Sequence, residues 1–405
     1  MSEMNKVLIK IANMFFLSFF LLAFHFIQAQ PLPVVNPELV GMQTEKLNQV
    51  DKIILDAISK KQIPGAVLLV GRQGKIVKRQ AFGKSQLIPN EKPMTIDHIF
   101  DLASITKPIA TATSIMILVE EGKLRLLDRV SEYIPEFTTY IDSSTNDNEP
   151  ARIYHLLTHT AGLPPYTDAA KIKAKFGATC PDSLILHIAR LKKLAPPGKK
   201  FTYSCLGYIT LGEIVKRVSG LSLDKFAVQK IFTPLKMLHT RHCPPETWNS
   251  QIVATQVFDG KPLIGIVHDP LAQLMGGVSG NAGLFSTGDD LAIFCQMLLQ
   301  EGTFQNLQVL NSATVKLMTS VYHEVGFSGR GLGWDIQSDY ASQRGDLFSV
   351  GGYGHTGYTG TSIWIDPKTE TFLIFLTNRV HPDDKGSVVR LRSCLANMVA
   401  AAIIE

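Results

Sequence analysis

Two strand–turn–strand patterns stand at opposite ends of this chain, and they constrain its fold more than any other feature. Near the start, residues 65–70 (GAVLLV) are β-rich, and Gly74-Lys75 mark a turn before the stretch 76–81. Near the end, 358–365 and 371–377 flank the turn Asp366-Pro367-Lys368-Thr369. The chain between them reads differently. A long apolar helix is expected over 104–121, stopped by Gly122, and helical signals run on to about residue 250. They are broken at Pro135, Pro164-Pro165 and Pro196-Pro197-Gly198. Helical spacing of Leu47, Val50, Ile53, Ile54, Ala57 and Ile58 predicts a helix within 38–61, and an apolar-faced helix closes the chain over 384–404. The expectation is an α/β fold: a sheet assembled from both chain ends, flanked by helices, with a mostly helical insertion at roughly 108–250. A hydrophobic share of 45% against 19% charged excludes a disordered chain. The 405 residues suit one large domain or two.

The first residues have another character. Lys6 and Lys10 precede an apolar stretch, 11–27, densest at 14–24 (MFFLSFFLLAF), and Ala29 offers a small residue for cleavage. That order predicts a signal peptide over 1–29, with 30–405 as an exported domain, periplasmic or extracellular. An uncleaved membrane anchor is the other reading, although the run lies near the lower limit for a span and His25 interrupts it. The net charge of +5, without a basic run, does not suit a nucleic-acid partner. The five cysteines (Cys180, Cys205, Cys243, Cys295 and Cys394) form no CxxC pair, which disfavours a zinc ribbon or a thioredoxin-like site.

One pair carries nucleophile chemistry. In FDLASITKP, residues 100–108, Ser104 and Lys107 lie three positions apart where the long helix should begin, so they share a helix face. A free serine hydroxyl keeps its proton at neutral pH and needs a base. A lysine in an apolar, crowded site has a lowered pKa and can serve as one. The helix N-terminus adds positive potential where an oxyanion would form. The bland reading of Ser104 is an N-cap. A second copy of the spacing, Ser222-Leu223-Asp224-Lys225, looks like a cap with a solvated lysine.

Further phrases supply context: YHLLTHTAGLP at 154–164, FTYSCLGYITLG at 201–212, GNAGLFSTGDDLAIF at 280–294 and GGYGHTGYTGTSIWIDP at 351–367. With FDLASITKP they resemble the serine β-lactamase and penicillin-binding-protein-like family, most of all its class C, DD-peptidase and esterase branch. The resemblance runs from about residue 36 to the C-terminus. It implies a β-lactamase/transpeptidase-like fold with a central antiparallel sheet. It makes Ser104 the acylated nucleophile and Lys107 its partner. Tyr203 matches the tyrosine of Y-x-N, a proton relay. His355-Thr356-Gly357 matches the K-T-G triplet in its H-T-G form, and the backbone N–H groups of Ser104 and Tyr358 would form the oxyanion hole.

Two departures follow. Cys205 stands where Y-x-N has Asn or Asp, and a thiol cannot replace a carboxamide's two-way hydrogen bonding. His355 replaces a permanently charged lysine, and an imidazole near its ordinary pKa of about 6.5 would gain charge, and attraction for a substrate carboxylate, only as pH falls. There is no S-D-N triplet for a class A β-lactamase and no complete G-x-S-x-G elbow for an α/β-hydrolase.

Other residues have plainer readings. Tyr208, Trp334 and Trp364 suit packing. His155 and His159 are four apart, but H-E-x-x-H and a third ligand are missing, so structural roles are favoured over zinc. Cys205 would be reactive if Lys107 lowered its pKa, and is otherwise a tolerated small replacement. The expectation is an exported serine hydrolase acting on β-lactam, D-Ala-peptide or ester substrates, small or peptidoglycan-derived, without metal or organic cofactor. A penicillin-binding sensor with little turnover is the alternative.

Overall fold

The computed structural model describes residues 32–141 and 148–404, so the expected signal at 1–29 lies outside the described residues. The helix expected within 38–61 is in three pieces. Pro37–Val40 is a 3₁₀ turn closed by Gly41 in the left-handed region (φ 68°), then come Thr44–Leu47 and α1, Gln49–Ser59.

β1 (Gly65–Arg72) and β2 (Lys75–Gln86) form the first hairpin, and β3 (Lys92–Pro93) adds an edge. The helical stretch follows, with α2 (Thr113–Glu120) and α3 (Cys205–Ser219), then α4 (Gly288–Leu299). The chain returns as β4 (Tyr353–Thr356), β5 (Ser362–Asp366) and β6 (Thr371–Thr377), and closes with α5 (Val389–Ala401). The six strands lie in the order β4-β5-β6-β1-β2-β3, every neighbouring pair antiparallel. β1 and β6 join the two ends of the chain, with Ala66 opposite Thr377, Leu68 opposite Phe375 and Val70 opposite Leu373.

Both central strands are buried on both faces, which is why GAVLLV and TFLIFLT read as unbroken apolar runs. Val67, Leu69, Phe372, Ile374 and Leu376 join the large core, where α4 packs. Ala66, Leu68, Val70, Leu373 and Phe375 face a smaller core beneath α1 and α5. The sheet is thus a middle layer with apolar helices on each side. Trp334 and Trp364 are buried, and Tyr208 is buried with its hydroxyl donating to the Leu157 carbonyl at 2.8 Å. No helix among the described residues is long and apolar enough to cross a membrane.

Two departures from the expected elements shape the site. The helix expected over 104–121 is a 3₁₀ turn at Ala103–Ile105, a π-helical turn at Lys107–Ala112, and only then α2. Pro108 lacks the N–H that a continuous α-helix would use, and Ala103 sits in the left-handed region (φ 47°). The strand expected over 358–365 is a loop followed by β5. Thr359 Oγ1 donates to the Asp101 carbonyl at 2.7 Å, and Thr361 Oγ1 to the Leu102 carbonyl at 3.0 Å. These bonds hold the loop against the segment that enters Ser104. A Cβ on Gly357 would lie 2.4 Å from the Leu102 oxygen, so this approach requires glycine.

Candidate active site

Ser104 stands at the end of a short strand. Phe100–Asp101 pairs with Leu284–Ser286, and the chain then turns sharply through Ala103. The buried Asp101 carboxylate holds that turn: Oδ1 accepts the Ala103 N–H at 2.9 Å and Oδ2 the His268 N–H at 2.7 Å. Strain of this kind persists only when its surroundings over-determine it, and Asp101 provides that constraint.

Lys107 is completely buried and donates to Ser104 Oγ at 2.8 Å and to the Asn281 carbonyl at 2.9 Å. Cys205 Sγ lies 3.6 Å from the ammonium, and the ring centre of Tyr203 lies 5.1 Å from it. The expectation of a lowered Lys107 pKa does not hold. Burial does push it down, but its polar neighbours Cys205 and Tyr203, with the Asp269 carboxylate, outweigh burial and raise it. Lys107 therefore rests as an ammonium. Burial pushes the Cys205 thiol up, more than Lys107 lowers it, so this cysteine stays protonated and is not an activated thiolate.

A cavity of about 340 Å³ opens over Ser104, lined also by Tyr203, His355, Thr356, Gly357 and Tyr358. The structure thus brings together the residues expected from three distant phrases, with Cys205 beside the Lys107 that donates to Ser104. Tyr358 is exposed, with its hydroxyl donating to Asp384 Oδ2 at 2.7 Å. His355 differs from expectation. Its pKa is held well below the ordinary value by burial, and by the positive charge of Arg330 and Lys107. It stays neutral across the range in which it was expected to titrate.

The other candidates separate cleanly. Ser222 is the N-terminal neighbour of a short helix, Leu223–Ala227, with Lys225 exposed. His155 Nδ1 accepts the Arg152 N–H at 3.0 Å, and His159 Nδ1 the Ser204 N–H at 3.0 Å, so both brace backbone. No group of three or more His, Cys, Asp or Glu side chains among the described residues is arranged to hold a metal. Several cavity residues were not singled out from the sequence. Arg330 and Tyr340 carried no spacing signal. Outside the cavity lining, Asn281 contributes the carbonyl that accepts from Lys107, which sequence does not distinguish.

Residues 50–394 match the family model described as Beta-lactamase. The chain belongs to the β-lactamase family. It is 33% identical over 375 residues to the N-acetylmuramyl-L-alanine amidase of Bacillus subtilis (strain 168), covering 86% of this chain and 84% of that one. It is 32% identical over 385 residues to a protein of Escherichia coli (strain K12) provisionally named D-alanyl-D-alanine carboxypeptidase, covering 88% of each. Among solved structures, EstCE1, a hydrolase with promiscuous acyltransferase activity, superposes with a TM-score of 0.71 at 24% identity, covering 88% of this chain and 99% of that one. The octameric penicillin-binding protein homologue from Pyrococcus abyssi gives 0.65 at 21%, covering 88% and 77%. These two show the α/β fold with its antiparallel sheet. This β-lactamase-family chain is a serine hydrolase.

Proposed function

We propose that this hydrolase is exported, with a signal over 1–29 and its catalytic domain over 30–405, and that it forms an acyl-enzyme on Ser104 with amides or peptides derived from peptidoglycan. The contact that carries this reading is the 2.8 Å bond from the buried Lys107 ammonium to Ser104 Oγ at the floor of the cavity. Tyr203 acts as a proton relay: as Oγ attacks the carbonyl carbon, the tyrosine oxygen takes the Ser104 proton and its own hydroxyl proton moves on toward the leaving amine, while the ammonium holds the developing alkoxide. The relayed proton reaches the leaving amine as its bond to the carbonyl carbon breaks, and a water then releases the acyl group by the same relay, giving its proton through Tyr203 to Ser104 Oγ as that ester bond breaks. The Ser104 and Tyr358 N–H groups receive the oxyanion, and the bonds from Thr359 and Thr361 to the 101–102 carbonyls support that placement. The names of the amidase and carboxypeptidase relatives support the peptidoglycan class, with small esters as convenient surrogates.

Replacing Ser104 with Ala should abolish nitrophenyl-acetate hydrolysis and covalent labelling by fluorescent penicillin together, whereas Ser222→Ala should leave both intact. Activity that survives in Ser104→Ala but disappears in Ser222→Ala would transfer the nucleophile to the second copy. Labelling without measurable release would favour a penicillin-binding sensor.

A further inference from the structure

Away from the cavity over Ser104, the charge of this chain is unevenly placed. Residues 171–200 hold eight Lys or Arg and one Asp, a net +7, while the whole chain carries +5, so the remaining residues sum to −2. No run in this segment exceeds two cations, so the concentration appears only when the chain folds. The helix Ala169–Phe176 brings Lys171 and Lys175 to a groove that it shares with the helix Pro181–Arg190 and the Leu191-Lys192 segment, which add Arg190 and Lys192. The groove encloses about 570 Å³, and among the described residues no carboxylate lines it. Ile172, Phe176, Leu186 and Leu191 form its apolar part. Phe176 is 40% exposed, and the Lys175 ammonium lies 5.0 Å from its ring centre.

Ordinary reasons account for part of this. Lys173, Lys175 and Arg190 lie in the last turns of their helices, where a cation suits the helix dipole. Lys171 pairs with Asp168 at 3.5 Å. Lys193 turns inward: it is buried, and its ammonium donates to Thr138 Oγ1 and to the Ala189 and Leu191 carbonyls. None of these reasons covers the exposed Lys192, Lys199 and Lys200, which have no ion-pair partner among the described residues, or the aromatic ring left in water beside Lys175.

We propose that this face docks on a bilayer containing anionic phospholipids. Lys171, Lys175, Arg190 and Lys192 sit among headgroup phosphates, and Phe176 enters the acyl boundary, as in other interfacial helices that set aromatic rings beside cations. The charge of the groove decides the sign of its occupant, and its apolar side chains decide the kind. A second copy of the chain meeting by the same face would set cation against cation. A soluble polyanion would bond the basic rim and leave Phe176 in water, whereas a bilayer takes up both. This docking needs no step of the Ser104 chemistry.

The test is cosedimentation of the full chain with sucrose-loaded vesicles, of phosphatidylcholine alone and of phosphatidylcholine with about a third of phosphatidylglycerol. Attachment through the apolar stretch 11–27 would be common to both, so the ratio of the two partition coefficients reads the basic face. A cation near an anionic surface is worth about fivefold in partition, so four of them should make binding to the mixed vesicles at least about 100-fold tighter at low salt. The preference should collapse at about 1 M salt, where screening is nearly complete. Lys175→Gln together with Lys192→Gln should cost about 25-fold, and Phe176→Ala about three- to tenfold. Lys46→Gln together with Lys52→Gln, exposed cations on Thr44–Leu47 and α1, should cost less than about twofold, since they lie outside the groove. Unchanged nitrophenyl-acetate hydrolysis shows that each variant folds; if one does not, the vesicle preference of the unsubstituted protein and its salt dependence decide alone. Equal binding to the two vesicles, no binding to either, or an equal loss in both lysine pairs overturns the proposal. So does tighter binding to duplex DNA or heparin than to the mixed vesicles with no effect of Phe176→Ala, which assigns the face to a soluble polyanion. A dimer in sedimentation that Phe176→Ala dissolves overturns it too, in favour of a second copy.

Discussion

Cys205 shows how much one side chain can withhold from an otherwise complete site. Its sulfur lies 3.6 Å from the Lys107 ammonium, and burial keeps its proton in place, so it contributes neither a strong acceptor nor a carboxamide's pair of functions. Restoring an amide there should help substrates with a side-chain amide to recognise. Cys205→Asn is expected to speed acylation by penicillins about fivefold, the worth of roughly one net hydrogen bond, with nitrophenyl-acetate turnover little changed; stopped-flow labelling reads this, and a slower penicillin reaction would refute it. His355 makes the opposite point about charge. Because burial, Arg330, Lys107 and Arg392 all disfavour its protonation, lowering the pH from 8 to 6 adds no charge to the site. KM for an anionic substrate should then stay within about twofold over that interval, where an ordinary histidine would titrate. A KM that falls several-fold toward pH 6 would restore His355 as the carboxylate reader. The Ser104–Lys107 pairing was legible because it is an i, i+3 relation within one segment. The charge state of Lys107 was not, because it depends on Cys205, Tyr203 and Asp269, which only the fold brings near. Arg330 was invisible for the same reason: only the fold brings it to the cavity.

Among the elements, the loop between β4 and β5 bears most on catalysis and was the hardest to read. Residues 358–361 were expected to open the strand over 358–365, with Tyr358, Thr359 and Thr361 among them, yet side-chain hydrogen bonds join the loop to the chain entering Ser104 and to α5. Arg392 on α5 donates from Nη2 to the Gly357 carbonyl at 2.9 Å and the Thr361 carbonyl at 2.8 Å. A buried arginine in the first turn of the C-terminal helix thus positions the proposed oxyanion loop. Arg392→Met keeps much of the apolar stem but leaves those carbonyls short of donors, at a cost of about 1–3 kcal/mol in stability. If the loop's geometry matters, kcat for nitrophenyl acetate should fall at least tenfold while KM moves little, and added guanidinium should recover part of it. Loss of stability with kcat intact would make Arg392 a purely structural residue. The regular elements were easier. β1 and β6 announce themselves as apolar runs because both faces are buried. The helix after Ser104 was expected whole, and its 3₁₀ and π turns escaped notice because apolar periodicity does not report a change of pitch.

At the scale of the molecule, the closure of the sheet by strands from both chain ends was legible, since two hairpin patterns separated by helices leave few other arrangements. What composition does not show is how many histidines this closure buries. His155 and His242 are buried with pKa values pushed down to about 4, chiefly by burial, and His159 and His355 are driven well below the ordinary value. Each is neutral when folded and takes up a proton near its ordinary pKa when unfolded. Below about pH 6.5 the unfolded chain therefore binds more protons than the folded one, and each such histidine removes about 1.4 kcal/mol of stability per pH unit until its folded pKa is reached. Buried carboxylates act in the other direction. Asp290, raised to about 6, and Asp101 and Asp335, also raised by burial, bind protons more readily when folded and so stabilise the protein as the pH falls. Four strongly depressed histidines against three raised carboxylates leave the histidines ahead, most clearly just below pH 6.5, where the unfolded imidazoles have begun to charge. Urea unfolding at pH 7.5 and 5 should accordingly give a lower midpoint at the acid end, and His242→Leu should shallow the decline by about 1.4 kcal/mol per pH unit, one group's share. A midpoint that rises on acidification would mean that the buried carboxylates, and not the histidines, govern the stability of this fold.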